Sequence, residues 1–373
     1  MSRTPDQPPR LPELSARTRD SNLQRMSQEC FDVAVIGGGI TGAGVALDAA
    51  TRGLTVALVE KNDFASGTSS RSSKLIHGGL RYLEQLEFGL VYESLHERAV
   101  LSRIAPHLSK PLKFLVPVYS SASRSPLGNN RLKLAAGFWL YDFLAGRTNV
   151  GRHRWMSKDE TLELAPGLEP KGLRGAFCYY DCLTDDSRLV IEVIKSAAAH
   201  GAVVANYASV TGLRRSENDL TKIKVENLLD AGEFELSSRV TINATGVWSD
   251  KISKLSDNKA TQRLRPSKGI HVVVPSEKLS NNTAVLIPSI GEHRFLFVIP
   301  WHGFTVIGTT DTDYAGDLDN PRAESHEVDR VINSAAAAFP SAQLSADDVV
   351  STFAGLRPLI SGNEKSTKEL SRK

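Results

Sequence analysis

Short apolar runs separated by polar and glycine-rich turns define the first part of the chain. Residues 31–36 and 55–59 are almost wholly apolar and end at turns, which is typical of buried strands in a parallel sheet. Residues 40–52 lie between them and have the spacing of a helix, so this region predicts a strand–helix–strand unit. The pattern indicates an α/β fold.

A different pattern further along the chain predicts a second domain. Residues 271–274, 295–299 and 304–308 are short apolar clusters that indicate an antiparallel sheet. Residues 111–175 interrupt the strand–helix rhythm with spaced prolines and indicate an insertion. The predicted domains are a first, discontinuous domain at 31–110, 176–260 and 345–373, called the nucleotide-binding domain below for the motif described next, and an inserted antiparallel α+β domain at 111–175 and 261–344, called the substrate domain.

A glycine-rich turn joins the first predicted strand to the helix. Gly37, Gly39 and Gly42 form a GxGxxG pattern, and Glu60 ends the second strand, 18 residues after Gly42. In a Rossmann-like domain these glycines permit a tight turn, close approach of a pyrophosphate and close helix–strand packing, and the acid binds a ribose hydroxyl. The motif predicts a dinucleotide site but does not by itself distinguish NAD from FAD.

A serine-rich loop follows the second strand. Residues 69–82 combine four serines with Lys74, His77 and a pair of glycines. We interpret this loop as favouring FAD, because an extended isoalloxazine needs polar contacts well beyond the pyrophosphate. The fold expected from both signatures is a Rossmann-like FAD-binding domain that carries the inserted substrate domain.

Six sequence blocks bear on the identity of the family. They are Lys74-Leu-Ile-His-Gly-Gly-Leu-Arg-Tyr-Leu-Glu84, Tyr180-Asp-Cys-Leu-Thr-Asp-Asp-Ser-Arg188, Lys268-Gly-Ile-His271, Val298-Ile-Pro-Trp301, Ile307-Gly-Thr-Thr-Asp311 and Gly355-Leu-Arg357-Pro358-Leu. In these blocks the chain resembles the flavin-dependent glycerol-3-phosphate dehydrogenases, from about residue 31 to its last residue. The resemblance implies oxidation of sn-glycerol 3-phosphate to dihydroxyacetone phosphate with FAD, and transfer of electrons to quinone at the membrane.

The resemblance also implies which side chains bind the substrate. Arg81, Arg357 and Arg372 match phosphate-binding positions, and planar guanidinium groups suit a dianionic phosphate. Tyr82 adds a hydroxyl donor. Thr309 is expected to shape the site from the substrate domain.

The oxidation requires a proton acceptor in addition to the flavin. A hydride leaves C2 of the substrate while a base takes the proton of the C2 hydroxyl group. His271 and His77 both lie in matching blocks and are the candidates, with His271 preferred. Arg357 is expected to assist electrostatically.

The candidate FAD-binding residues come from the two signatures and from later strand ends. They are Gly37, Gly39, Gly42, Glu60, Ser69, Ser72, Ser73, Lys74, Gly78, Gly79, Val210, Ala244, Thr245 and Gly246. The family pattern continues with a lysine-bearing loop and a helical C-terminal domain, which we expect this sequence to lack.

Positive charge is concentrated in one segment. The net charge is +3, but residues 110–154 hold eight Lys or Arg and only one acid, Asp142, which gives +7 there. Aromatic residues such as Trp139 and Phe143 are interleaved with these charges, a combination that suits contact with an anionic membrane. The alternative is a solvated basic face over an ordinary core. No nucleic-acid-binding module is present in the sequence.

The N-terminal composition and the cysteine count bear on the cellular location of the protein. Residues 1–30 combine prolines, acids and arginines with little apolar material, so we expect a disordered leader rather than a signal or import peptide. Three cysteines are too few for a disulfide framework and their spacing does not predict a metal site. We expect a cytoplasmic protein, peripheral on the inner face of the cytoplasmic membrane if it binds lipid, and a homodimer is one open expectation for its assembly.

Two alternatives to the quinone-linked dehydrogenase stay open. Relatives with the same core pass electrons to O₂, so a glycerol-3-phosphate oxidase fits the same motifs. The other alternative is an inactive, truncated flavin-fold fragment that acts only by association.

Overall fold

The computed structural model describes residues 14–83, 85–292 and 294–360. Its strands, in chain order, are β1 Cys30–Ile36, β2 Val56–Val59, β3 Leu75–Ile76, β4 Ser109–Tyr119, β5 Arg154–Met156, β6 Leu173–Thr184, β7 Val203–Ala205, β8 Ala208–Arg215, β9 Thr221–Asn227, β10 Gly232–Asn243, β11 Leu264–Pro275, β12 Ala284–Pro288, β13 Phe295–Trp301, β14 Phe304–Gly308, β15 Thr312–Asp313 and β16 Ser351–Ile360.

Helices lie between these strands. They are α1 Ala16–Gln28, α2 Ile40–Thr51, α3 Phe88–Ile104, α4 Arg131–Ala145, α5 Lys158–Leu164, α6 Asp186–Ala199, α7 Ser249–Ser256, α8 Ser276–Leu279 and α9 Ser325–Ala338. Across the described ranges, none of these helices combines the length and the apolar character that crossing a lipid bilayer requires.

The first sheet builds the Rossmann-like domain. Its strand order is β7-β2-β1-β10-β9-β8, with β7, β2, β1 and β10 parallel and the last two strands antiparallel. Helices α2 and α6 cover one face, where small residues such as Ala43 and Ala46 pack on Val35 and Leu58 of the central strands. This part of the α/β prediction is confirmed.

The second sheet forms the core of the predicted substrate domain. Its main strand order is β15-β11-β14-β13-β12-β4-β6-β3, and β16 and β5 pair with β11 and β6. All of these pairs are antiparallel except β12 with β4. Helix α9 packs on one face through Val331 and Phe339 and neighbouring residues, and helices α3 and α4 pack on another part of the sheet.

The prediction of a disordered leader over residues 1–30 is wrong where the structure describes it. Residues 16–28 form α1, and Met26 is completely buried against the first sheet with Phe31. The Arg19 side chain donates to the backbone carbonyl of Asn206 and to the side chain of Asn227. The polar composition of this segment gave no sign of a helix. The helix forms because a few of its side chains are buried against the first sheet, and this packing stabilises it. Residues 1–13 lie outside the described residues.

Three predicted domain ranges also differ from the structure. Within 31–110, which was expected in the nucleotide-binding domain, β3 pairs with β6 of the substrate sheet and α3 packs on that sheet. Residues 345–373 were expected in the nucleotide-binding domain, but β16 pairs with β11 of the substrate sheet along its whole length, from Ser351 to Ile360. Strand β6 also belongs to that sheet, so residues 176–184 fall on the other side of the predicted boundary at 176. The apolar run of a strand specifies burial but not which sheet it joins.

Candidate active site

A cavity of about 460 Å³ lies where the parallel strands of the first sheet end. The turns after β1, β2 and β10 meet at this edge, because carboxyl ends of parallel strands point the same way. Gly37 has φ of +113°, and a Cβ there would lie 2.5 Å from the carbonyl oxygen of Ala244. A Cβ at Gly42 would overlap the carbonyl oxygen of Gly37. Only glycine therefore fits at these two positions.

Polar groups surround the same cavity. The Glu60 carboxylate lines it and accepts hydrogen bonds from the backbone N–H groups of Gly38 (2.7 Å) and Asn62 (2.9 Å). Ser69 Oγ accepts from the backbone N–H of Ile40 at 3.0 Å, at the start of α2. A helix N-terminus, hydroxyl groups and one acid form a donor and acceptor set that fits a pyrophosphate and a ribose.

The predicted dinucleotide residues divide between this cavity and its surroundings. Those that line it are Gly37, Gly39, Glu60, Ser69, Val210, Ala244, Thr245 and Gly246. Gly42 lies in α2 behind the turn. The residues that line this cavity come from segments of the chain that are far apart in sequence.

A second cavity of about 330 Å³ opens beside the first, and Thr68 lines both. Three arginines line the second cavity, namely Arg71, Arg294 and Arg357. The Thr68 hydroxyl donates to the backbone carbonyl of Leu356 at 2.6 Å, which ties the loop to β16. The structure therefore places a strongly basic cavity next to the glycine-rich one.

A shared carboxylate holds two of these arginines. Arg357 Nη1 donates to Asp311 Oδ1 at 3.3 Å and Arg357 Nη2 donates to Thr309 Oγ1 at 3.2 Å. Arg294 Nη1 lies 2.8 Å from Asp311 Oδ2 as an ion pair without hydrogen-bond geometry. One buried carboxylate between two guanidinium groups leaves a net positive charge, which suits an anionic ligand.

His271 lies on β11 at the wall of the second cavity. Its ring stacks on Phe353 at 4.6 Å between centroids, and its Nε2 lies 2.9 Å from Ser73 Oγ. Among the described residues its Nδ1 has no hydrogen-bond partner. Burial, reinforced by the positive charges of Arg357 and Lys74, lowers the pKa of His271 to about 3. The imidazole is therefore neutral at pH 7 and offers a lone pair.

The other residues predicted to bind cofactor or substrate, or to act as the base, lie mostly at the second cavity. His77, which is exposed, and Tyr82, Thr309, Ser72 and Ser73 line the second cavity. Lys74 is buried and pairs with Asp186 at 2.8 Å, so it holds the loop rather than lining either cavity. The Gly79 N–H donates to His77 Nδ1 at 2.9 Å.

Two of the predicted arginines have side chains outside the described residues, and two arginines that were not predicted line the second cavity. The side chain of Arg81 and all of Arg372 lie outside the described residues. Arg71 and Arg294 were not predicted as site residues. Arg71 lies within the serine-rich block, and that position could have marked it as a site residue. Arg294 is a single charged residue before a strand, and the sequence does not show that its side chain lies at the cavity, because this depends on how the sheet is formed. In the described ranges, no three His, Cys, Asp or Glu residues are grouped so that they could hold a metal ion.

Comparisons with a family model and with known proteins identify the same family of flavin enzymes. A model of the family described as "FAD dependent oxidoreductase" matches residues 32–367. An alpha-glycerophosphate oxidase of Streptococcus pneumoniae is 44% identical over 359 residues, covering 95% of this chain and 58% of that protein. A glycerol-3-phosphate dehydrogenase of Mycobacterium leprae is 43% identical over 360 residues, covering 96% of this chain and 60% of that protein. The chain thus spans less than two thirds of the length of these curated relatives.

A solved structure is also similar. The glycerol-3-phosphate dehydrogenase from Bacillus halodurans, crystallised with FAD, superimposes with a TM-score of 0.77 at 35% sequence identity. The match covers 94% of this chain and 61% of that one.

Proposed function

We propose, from the premise that the chain belongs to the family of FAD-dependent oxidoreductases, that it oxidises sn-glycerol 3-phosphate to dihydroxyacetone phosphate. The observation that carries the proposal is the cavity lined by Arg71, Arg294 and Arg357, adjoining the glycine-rich cavity at Thr68. Three guanidinium groups are suited to a dianionic phosphate. The names of the relatives and of the FAD-bound neighbour support this substrate.

The residues of the first cavity fit FAD. The N-terminus of α2 after Gly39 would hold the pyrophosphate, and Glu60 would bind a ribose hydroxyl. The segment from Thr68 to Ser73 leads from the first cavity to the second and would contact the rest of the cofactor. FAD, when bound, supplies the hydride acceptor for the oxidation at C2.

The second cavity supplies the other groups that the reaction needs. Arg357 and its neighbouring arginines would bind the phosphate and so fix the position of C2. His271 is the proposed acceptor of the C2 hydroxyl proton, with Ser73 orienting its ring through Nε2. The low pKa of His271 makes it a weak base in the free protein. A bound phosphate dianion would offset the charge of Arg357 and raise that pKa. His77, which also lines the cavity, is the alternative base.

The electron acceptor is the finer part of the proposal. We propose quinone, as the resemblance implies. A relative named as an oxidase, at 44% identity, supports O₂ as the alternative. Stoichiometric H₂O₂, with no response to quinone analogues, would establish the oxidase; reduction of a quinone analogue without H₂O₂ would establish the dehydrogenase.

The deciding experiment is an anaerobic absorbance titration of the FAD-loaded protein with sn-glycerol 3-phosphate. Bleaching of the oxidised flavin bands supports the cofactor, the substrate and the hydride transfer together. Glycerol and sn-glycerol 1-phosphate serve as control ligands and should leave the bands unchanged. Bands that persist with sn-glycerol 3-phosphate would overturn the substrate proposal. Failure to acquire flavin bands with added FAD would favour the inactive fragment.

Membrane contact through residues 110–154 is a separate part of the proposal. Leu132, Trp139 and Phe143 project from one face of α4 and are 83%, 69% and 80% exposed. Arg131 and Lys133 on the same helix are also exposed. A row of large apolar side chains beside basic ones suits an anionic bilayer.

Vesicle sedimentation tests that contact. The protein should sediment with phosphatidylglycerol-containing vesicles and not with pure phosphatidylcholine vesicles. The double variant Trp139→Ser/Phe143→Ser should lose most of this binding. Phe304→Ser removes an exposed aromatic on β14 and is the matched control. Equal sedimentation with both kinds of vesicle, or with neither, would contradict the proposal.

A further inference from the structure

A buried charged network reaches the wall of the second cavity through Asp181, and the proposed reaction assigns it no role. Asp181 Oδ1 accepts hydrogen bonds from Arg98 Nη1 at 2.5 Å, from the Tyr141 hydroxyl at 3.1 Å and from the Gly78 N–H at 2.9 Å. Arg98 is fully buried, Tyr141 is 1% exposed and Asp181 is 2% exposed. Arg98 lies on α3, Tyr141 on α4 and Asp181 on β6, so the network joins three elements.

Stability alone is a weak explanation for such a network. Removing an arginine and an aspartate from water costs more than their attraction commonly returns, and apolar residues of similar size often serve a core equally well. Among the described residues, Arg98 Nε and Nη2 also lack hydrogen-bond partners, which adds to the cost. Burial, together with the neighbouring Asp181, raises the pKa of Tyr141 well above its ordinary value, so its hydroxyl stays a donor.

The network holds a specific piece of backbone. Gly78 is buried, and a Cβ there would overlap both the Tyr141 hydroxyl and the side chain of Leu95. The turn at Gly78 is therefore pressed against α3 and α4 while its N–H is bound by Asp181. On either side of this turn, His77 and Tyr82 line the second cavity, as does Asp181 itself.

We propose that Asp181, supported by Arg98 and Tyr141, is a positioning residue that fixes the Gly78 turn and thereby aims residues 77–82 at the substrate. Three donors to one oxygen hold the Asp181 carboxylate in a single position. The hydrogen bond from the Gly78 N–H to this oxygen then fixes the position of the backbone at Gly78. The effect on catalysis rests on the proposed function, whereas the effect on the turn does not. A turn displaced by about 1 Å would misplace the substrate-binding groups.

Tyr141→Phe is the mildest test, because it removes one donor to Asp181 and leaves the Arg98–Asp181 pair in place. Tyr119→Phe is the matched control, since Tyr119 is also buried and donates to the backbone carbonyl of Glu169 at 3.0 Å, away from the second cavity. Hydrogen–deuterium exchange of peptides covering residues 75–83, resolved to single amides by overlapping peptides, reports on the Gly78 N–H. Tyr141→Phe should speed this exchange about 10-fold, and Tyr119→Phe should leave it unchanged. Equal exchange in wild type and Tyr141→Phe would overturn the proposal.

A second pair of variants separates positioning from folding. Asp181→Asn keeps an oxygen that can accept from Gly78, whereas Asp181→Ala does not, and both leave Arg98 without its counter-ion. Exchange of the 75–83 peptides should be slower in Asp181→Asn than in Asp181→Ala, and equal exchange in the two would contradict the positioning role.

Turnover provides the last readout. We expect kcat/KM for sn-glycerol 3-phosphate to fall about 10-fold in Tyr141→Phe and less than twofold in Tyr119→Phe. If wild type itself does not oxidise this substrate, the proposed function fails, and the exchange comparison still decides the positioning role.

Discussion

The two cavities of the site are built in opposite ways. The first is formed largely by backbone and small side chains at the ends of parallel strands, with Gly37 and Gly42 at positions where a Cβ does not fit. The second takes its charge from long arginine side chains, which come from the serine-rich loop, from the residue before β13 and from β16, and His271 on β11 lies at its wall. The difference shows that the spacing of glycines along a short segment is enough to specify a site built from backbone groups. A site built from side chains depends instead on how strands distant in sequence pair with one another.

Register explains how the second cavity accommodates its charged and aromatic groups. On the substrate sheet His271 lies opposite Gly308 on one side and Phe353 on the other, and Ser267 lies opposite Arg357. A Cβ at Gly308 would lie 2.5 Å from the His271 ring. A Cβ at Gly269 would likewise lie 2.5 Å from Arg357 Nη2. Glycines within these strands thus leave room for functional side chains, a use of strand glycine that propensity does not predict.

The largest expected effect comes from breaking the backbone-built cavity. Gly42→Val would place side-chain atoms against the carbonyl of Gly37, and we expect a loss of stability of about 4 kcal/mol or more. Chemical denaturation and FAD retention measure it. Gly44→Ala is the matched control, because nothing lies within 4 Å of its Cβ on the same helix, and it should be neutral or slightly stabilising. Equal stability of the two variants would refute the close-packing argument.

The next effect concerns the pH dependence of stability. The pKa of His271 is lowered from 6.5 to about 3 in the folded protein, so between these values the unfolded chain binds the proton and the folded one does not. Stability should therefore fall as the pH decreases from 6.5, by at most about 3 kcal/mol at pH 4. Denaturation at pH 7 and pH 4 should show a smaller loss in His271→Gln than in wild type. His302→Gln, at an exposed position, should keep the wild-type loss; identical losses in all three would refute the buried neutral histidine.

The side-chain cavity is tested by removing one guanidinium. Arg357→Met should raise KM for sn-glycerol 3-phosphate about 100-fold, which corresponds to about 2.7 kcal/mol, because a charged donor to the phosphate is lost. Steady-state kinetics measure this change. Arg214→Met, at an exposed position in a surface ion pair, should leave KM unchanged. A KM unaffected by Arg357→Met would remove Arg357 from phosphate binding.

The smallest effect returns to the first cavity. Glu60→Gln should weaken FAD binding about 10-fold, since a charge-assisted hydrogen bond to a ribose hydroxyl becomes a neutral one. Fluorescence titration of the apoprotein with FAD measures the affinity, and Glu217→Gln, at an exposed position, is the control. An unchanged affinity would show that Glu60 only braces the turn through Gly38 and Asn62.

The sequence by itself determined the family, the α/β class and the FAD signature. These are confirmed by the family match over residues 32–367 and by the FAD-bound neighbour. Helix α2 was predicted at 40–52 and lies at Ile40–Thr51. Such features follow from residues close in sequence, where glycine spacing and apolar periodicity act directly on the backbone.

Only the tertiary structure decided which distant residues meet. It joined β16 to the substrate sheet, ordered α1 through Met26, and brought Arg294 beside Asp311 and Arg357. It also placed Asp181 under the Gly78 turn. Strand register and burial against other elements settle these contacts, and neither is contained in the local pattern of apolar and polar residues.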